Sequence, residues 1–341
     1  MTAPRNNIAY RPQTTWILTD GKAGDRVQCL GVTEAMGIEA EERIVDPGKL
    51  AALLMPRWPI PWRHRPGRPS SPINPPFPDL AIATGRRTVA YLRALKGASP
   101  RTFTVFLKDP RTGAKTADFI WVPEHDALRG DNVMTTLTSP HRQSREALSK
   151  ARAAPHAEID GLKSPRLTVL VGGDSGNHTF TPDDSARLAR HLKSATESGW
   201  SLMGSLSRRT DTSGPHLRHA IASVFKETGG YLWDGDGENP YSALLAKADA
   251  IIVTADSVNM VGEALATGAH VAVFEPSART QKRTQKRTQK IERFLAALRE
   301  RGFIHTCDET LESGGQPPID ATPEIAQAIL NRYSVFREKH R

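Results

Sequence analysis

The sequence predicts an α/β protein built from two Rossmann-type domains, each a parallel sheet covered by helices on both faces. Three observations predict it. At 341 residues the chain exceeds what one hydrophobic core normally holds. Short β-rich runs alternate with helix-spaced segments and Gly- or Asp-bearing loops. The same series also restarts after a polar stretch at 140–165. The expected division is a first domain over 1–150, a connection over 151–165, a second domain over 166–320 and a C-terminal helix over 321–341.

The first series opens with TTWILT at 14–19, a strand, followed by the loop Asp20-Gly21-Lys22-Ala23-Gly24-Asp25 and a helical pattern over 27–36. Residues 40–45 read as a second strand, whereas 55–78 is too rich in proline for regular structure and mixes two tryptophans with arginines. Order returns with DLAIAT at 79–84, then Gly85-Arg86-Arg87-Thr88 and a helix to Leu95. TFTVFL at 102–107 and ADFIWV at 117–122 are further buried strands.

The second series begins with LTVLV at 167–171, a loop over 172–178 and a helix over 181–198 with an Asp-rich first turn. Strands follow at 200–204, 231–233, 248–254 and 270–274, with helices at 214–228, 241–246 and 257–267 between them. Functional loops of such a sheet lie at the carboxyl ends of its strands. From Arg279 the tetrapeptide RTQK occurs three times, which reads as a duplicated surface loop or helix extension, or as a basic arm touching phosphate or membrane.

Hydrophobic content of 38% and charged content of 24% are those of a globular protein, not a disordered one. No run approaches the roughly 18 apolar residues of a membrane span, and residues 1–12 lack a signal-peptide core, so a cytoplasmic protein is expected, with peripheral contact at the inner membrane face as an option. Cys29 and Cys307 form neither a disulfide framework nor a metal-ligand spacing and read as free thiols. The net charge of +9 suits anionic partners. Because much of that charge lies at 55–78 and 279–290 and the strand–helix units are not uniformly basic, no nucleic-acid partner is expected.

The most informative segment is 248–274. Asp256 or Ser257 can cap a helix directly after a buried strand, and free N–H groups at the positive end of that helix suit a diphosphate. Ser257 and Asn259 add a hydroxyl and an amide. Glu263 lies seven residues beyond Asp256. At 1.5 Å per residue that is about 10 Å, the span from a diphosphate to a ribose diol. A solvated glutamate paired with a nearby base is the plainer alternative.

The ordered set GKAGDRVQ, GRR, DPR, VPEHD, GGDS, SRRT, WDGDGENPY and TADSVNMVGEA, running from about residue 16 to 275, resembles the elongated-mitochondria fission-factor family and its bacterial GT-B glycosyltransferase relatives. The resemblance implies two Rossmann-type domains facing a central cleft. It also implies transfer of a sugar from a nucleotide-diphosphate donor to a glycan or lipid-linked acceptor of the cell envelope, with no cofactor and no obligate metal. By that resemblance Glu263 would hold the ribose, and Ser257, Val258 and Asn259 the diphosphate. Ser207, Arg208 and Arg209 sit at a strand end where two guanidiniums would neutralise the same phosphates, unless they are ordinary turn residues. Gly173, Ser175 and Asn177 would form the floor beneath the diphosphate, or else a simple tight turn. Trp233 and Asp234 lie where a base would stack and hydrogen-bond, although a core tryptophan fits equally. Asp234-Gly235-Asp236 spells a DxD, which reads better as a turn than as a metal motif.

In the first domain Lys22 and Asp25 occupy the first strand-to-helix loop, the region where, as the resemblance implies, GT-B enzymes place the group that deprotonates the acceptor, the base an inverting transfer needs. Asp25 is the candidate base, with an N-cap aspartate as the alternative. Asp109 is grouped with them, and Arg86, Arg87, Arg111 and His125 fall at later strand ends on the expected acceptor side. Two other classes compete. A non-enzymatic adaptor that recruits a dynamin-related partner is implied by the plant branch of the resemblance. A nicotinamide enzyme would need GxGxxG after the first strand, where this chain has GKAGDR.

Overall fold

The computed structural model describes residues 10–233, 235–278 and 285–340. The chain forms two compact units, one from residues up to Arg142 together with Ala321 onward, the other from Gln143 to Asp320.

The first unit contains β1 (Thr15–Thr19), α1 (Ala23–Met36), β2 (Glu41–Ile44), α2 (Lys49–Leu54), β3 (Leu80–Thr84), α3 (Thr88–Ala98), β4 (Phe103–Leu107), β5 (Phe119–Pro123) and β6 (Val133–Thr136). Its six strands are parallel in the order β2-β1-β3-β4-β5-β6. Strands β1, β3, β4 and β5 are buried along their whole length, which explains why they read as continuous apolar runs rather than as alternations. Trp16 and Leu18 join Ala81, Ala83 and Phe106 against α3, whereas Ile17 joins Leu80, Ile82 and Val105 against α1. The sheet is therefore sandwiched between apolar layers, as the period of two demands.

The segment expected to lack regular structure is instead pinned in place. Helix α2 precedes it, a 3-10 turn spans Trp62–His64, and Ile60, His64 and Ile73 are buried plugs. The Tyr91 hydroxyl meets His64 Nδ1 at 2.5 Å. Strand β6 was not expected: its sequence, VMTT, is half-buried at the sheet edge and carries no apolar run.

The second unit contains α4 (Arg145–Ala153), α5 (Ala157–Asp160), β7 (Arg166–Val171), α6 (Pro182–Glu197), β8 (Ser201–Leu206), α7 (Pro215–Thr228), β9 (Tyr231–Trp233), α8 (Tyr241–Ala246), β10 (Ala250–Thr254), α9 (Val258–Leu265), β11 (His270–Phe274), α10 (Gln285–Glu300) and β12 (His305–Thr306). The parallel order is β12-β11-β10-β7-β8-β9. Counted from β7 as the first strand, that is the 3-2-1-4-5-6 order of dinucleotide-binding sheets, with its reversal point between β7 and β10. The Asp-rich first turn of α6 forms a full capping box, with Thr181 Oγ1 accepting from Asp184 N and Asp184 Oδ2 accepting from Thr181 N. Of the RTQK run, residues 279–284 lie outside the described residues and the remainder opens α10.

Helix α11 (Thr322–Lys339) belongs to the first unit, where Ile325, Ile329, Leu330 and Tyr333 complete the apolar layer beside α1. Among the described residues no helix is long and apolar enough to cross a membrane.

Candidate functional site

At the reversal point of the second sheet the loops leaving β7, β8 and β10 are knotted together by one buried carboxylate. Asp256, just past β10, is 7% exposed. Its Oδ2 takes the Gly173 N–H at 3.2 Å and the Arg209 Nη2 at 2.8 Å. Thr254 Oγ1 accepts from Gly172 N at 2.8 Å, and Thr210 Oγ1 donates to carbonyls at the end of β7. Burial pushes the Asp256 carboxyl up, and the Arg209 guanidinium opposes that shift. The two glycines are required by sterics. A Cβ on Gly172 would sit 2.1 Å from Asp256 Oδ2, and one on Gly173 would sit 2.3 Å from the Arg209 carbonyl oxygen.

Of the residues expected to hold a diphosphate, Gly173 donates its N–H to Asp256, and Arg209 shares its charge with that same carboxylate. Arg208 is exposed on the same turn, and Ser207 Oγ accepts from Arg209 N at 3.2 Å. Ser175 Oγ accepts from Asn177 N and His178 N, so its hydroxyl shapes the turn. Ser257 is the N-cap of α9, its Oγ accepting from Met260 N at 3.4 Å; Val258 and Asn259 form the first helical turn. The cap falls on Ser257, leaving Asp256 free to tie the loops.

Glu263 points inward. Its Oε2 accepts from the Tyr241 hydroxyl at 2.6 Å, and among the described residues no protein hydrogen bond reaches Oε1. Burial raises its carboxyl to about 7, with the Tyr241 hydrogen bond pulling the other way. Tyr241 opens α8, where Asn239 Oδ1 accepts its backbone N–H at 3.0 Å. The Tyr241–Glu263 pair was missed in the sequence, although Tyr241 stands in the motif WDGDGENPY. A separation of 22 residues leaves no periodic signal. Trp233 is half-buried on edge strand β9, its Nε1 donating to the Asp236 carbonyl at 2.7 Å. Asp234 lies outside the described residues, which contain no group of three or more metal-ligating side chains.

In the first unit the reversal point falls between β1 and β3. Asp25, in the first turn of α1, forms an ion pair with Lys108 Nζ at 2.6 Å. Gly85, with φ +95°, lies against Asp25 Oδ2, where an added Cβ would approach to 3.1 Å. Lys22 is exposed and sits 3.1 Å from the buried carboxylate of Asp20. Lys108 and Asp20 were not singled out in the sequence. Lys108 carries a backbone signature that only coordinates reveal, φ +90° in a residue with a side chain, the strained region that functional loops often use.

The other expected acceptor-side residues are dispersed. Asp109 Oδ1 accepts from Arg111 N at 2.8 Å in a local turn, and Arg111 is exposed. Arg86 donates to the Ala52 and Met55 carbonyls at 2.8 and 3.1 Å, clamping α2. Arg87 is the N-cap residue of α3, and His125 is half-buried in the loop after β5.

The comparisons with known proteins agree with this architecture. The UDP-GlcNAc 2-epimerase of Neisseria meningitidis, solved bound to UDP-GlcNAc, superposes with a TM-score of 0.51 at 12% identity, covering 93% of this chain and 98% of its own. The likeness shows a fold of the GT-B type, common to glycosyltransferases and nucleotide-sugar epimerases. By sequence, the mitochondrial fission protein ELM1 of Arabidopsis thaliana is 29% identical over 74% of this chain and 63% of its own length. This chain thus spans less than two thirds of that relative. An uncharacterized protein of Rickettsia prowazekii, RP120, is 24% identical over 74% of this chain and 79% of its own. The model of the family described as Mitochondrial fission ELM1 matches residues 23–333, nearly the whole chain, and the protein therefore belongs to the mitochondrial fission ELM1 family.

Proposed function

We propose that the protein binds a nucleoside-diphosphate sugar in its second unit and transfers the sugar to a glycan or lipid-linked acceptor. One observation carries the donor half. On a helix that starts at the reversal point of a 3-2-1-4-5-6 sheet, a half-buried carboxylate keeps one oxygen uncommitted about 8 Å along the axis from the first helical residue, Val258. The first turn of α9 supplies N–H groups and the positive dipole end to the diphosphate, Arg208 and Arg209 supply charge, and Glu263 accepts the ribose hydroxyls. The neighbour of like fold carries UDP-GlcNAc, which supports a donor of this class.

In the first unit, Asp25 is the base that takes the acceptor hydroxyl proton, and Lys108 fixes its carboxylate through Oδ1. The departing diphosphate carries the electron pair of the broken bond and is stabilised by the α9 dipole and the arginines. No cofactor takes part, and the reaction proceeds in the presence of a chelator. Titration calorimetry of the full chain against UDP, ADP, GDP and CDP tests the donor half. One of them is expected to bind, with affinity falling about tenfold or more in Glu263→Ala. No binding of any of the four would overturn the reading.

A second reading rests on the 29% identity to a protein named for mitochondrial fission. In it the fold is an adaptor for a dynamin-related partner. Capture of such a partner that is indifferent to Glu263→Ala, with no nucleotide binding, would favour it.

A further inference from the structure

The described residues carry one concentrated apolar surface outside the two sites, and it lies wholly within the first unit. Leu50, Leu53 and Trp62 are 83%, 73% and 63% exposed, Trp58 is 58% exposed, and Ile44 and Leu54 add to them. Monomeric proteins rarely expose so many large apolar side chains within one short stretch. In helix α2 the usual pattern is doubled. Ala52 is buried, and Met55 just beyond the helix is buried, while Leu50, Leu53 and Leu54 at helical spacing face out.

The platform under this surface is built to hold it outward. Arg86 clamps the carbonyls of Ala52 and Met55, and Arg93 reaches those of Pro56 and Arg57. Buried Ile60 and Ile73, together with the His64–Tyr91 contact, anchor the proline-rich stretch that follows. A flexible loop could fold its leucines and tryptophans inward; this one is stapled open.

Charge identifies the occupant. Residues 47–78 contain Lys49, Arg57, Arg63, Arg65 and Arg68, and no aspartate or glutamate. All five cations are exposed, and the Arg68 guanidinium lies 4.0 Å from the centre of the Trp62 ring. A groove of about 570 Å³ beside them is walled by Trp58, Ile60, Ala90 and Ala94, with Arg65 and Arg93 at its edge. Leucines flanked by tryptophans and a one-signed ring of arginines are the chemistry of an anionic bilayer surface. The aliphatic side chains enter the acyl boundary, tryptophans settle at headgroup depth, and arginines meet phosphates.

The geometry points to residues 49–68, which begin past the exposed Asp46, as a docking surface by which the first unit seats on an anionic lipid bilayer. The contact is peripheral, reversible and salt-sensitive, and it is independent of whether the second unit binds a nucleotide.

Co-sedimentation of the full chain with large vesicles tests it, using phosphatidylcholine alone or with about 30% phosphatidylglycerol. Binding is expected to the anionic vesicles, to fall at roughly 0.5 M salt, and to show tryptophan quenching by brominated acyl chains. Leu50→Ser with Leu53→Ser should weaken it about tenfold or more. Arg57→Gln with Arg65→Gln should weaken it and flatten the salt dependence. These side chains are exposed, so the variants should keep the wild-type circular dichroism. Three results would each overturn the assignment: no binding of the wild type to anionic vesicles, binding unchanged in the leucine variant, or a wild-type dimer that the leucine variant converts to monomer.

Discussion

Glu263→Gln is expected to make the protein more stable and less able to hold nucleotide, both effects appearing only as pH rises. Burial raises the carboxyl of Glu263 from its ordinary 4.5 to about 7. Between those values the folded chain keeps a proton that the unfolded chain has released, so this group's contribution to stability falls as pH rises through the window and is level above it. At about 1.4 kcal/mol per tenfold in proton affinity, the gap is worth about 3 kcal/mol. The side chain keeps some contact with water, which trims the figure to about 2 kcal/mol. Glutamine preserves the shape and an oxygen that accepts from Tyr241, but never ionises. At about pH 8 the variant should therefore melt roughly 4–8 °C above the wild type for a unit of this size. At about pH 4.5 the two should coincide. Nucleoside-diphosphate affinity of the wild type should rise with pH through about 7, as the ionised carboxylate becomes available to the ribose, while the variant stays weak by roughly tenfold at the alkaline end. Scanning calorimetry and titration calorimetry across this range read both quantities. A melting difference that is the same at both ends of the range, or a pH-dependent affinity that survives in the variant, would refute the reasoning.

Tyr241→Phe removes the hydrogen bond that holds the Glu263 carboxyl down; the midpoint of the pH-dependent binding should move upward and stability should fall by about 1 kcal/mol. Asp256→Ala leaves Arg209 without its 2.8 Å partner and the β7 loop without its anchor, and should cost about 2–3 kcal/mol in urea unfolding, short of a fully buried pair because Arg209 is partly exposed. Gly173→Ala drives a Cβ to 2.3 Å from the Arg209 carbonyl oxygen, so nucleotide binding measured by calorimetry should be lost through displacement of the loop. Lys108→Met should abolish sugar transfer in an end-point assay while leaving nucleotide affinity within about twofold of wild type, because it releases Asp25 in the other unit.

All strands but β6 and β12 were legible because buried parallel strands write themselves as apolar runs, as in WIL of β1 or AIIV of β10. Their order was not legible. That two sheets of six strands run 2-1-3-4-5-6 and 3-2-1-4-5-6 is a matter of long-range pairing that no local pattern encodes. Edges were the weakest: β6 has three half-buried residues and one buried threonine, and α2 hid because it is apolar on both sides. At the site, the β10–α9 segment stood out through cap, dipole and spacing, all of them local. Partners that arrive from elsewhere, such as Tyr241 for Glu263 or Lys108 for Asp25, across 22 and 83 residues, had no such signal. The same distance hid the true work of Arg86, whose guanidinium is 31 to 34 residues from the carbonyls it holds.

Two carboxylates seven residues apart on one segment show how the partner a carboxylate finds decides what its charge is free to do. Asp256 is buried and Glu263 half-buried, and desolvation raises both. Asp256 has answered its burial with a cation and a backbone N–H, so its charge is committed to holding three loops in register. Glu263 has only a neutral hydroxyl for a partner, and on one oxygen. A desolvated acid without a cation is costly to keep ionised, and a well-packed apolar residue would be cheaper if folding alone were at stake. The neutral partner also leaves its charge available to a ligand with two hydroxyls to donate. What separates the two is therefore the charge of the partner: a guanidinium balances Asp256, whereas Glu263 faces a neutral hydroxyl and is the one that would answer a ligand's hydroxyls.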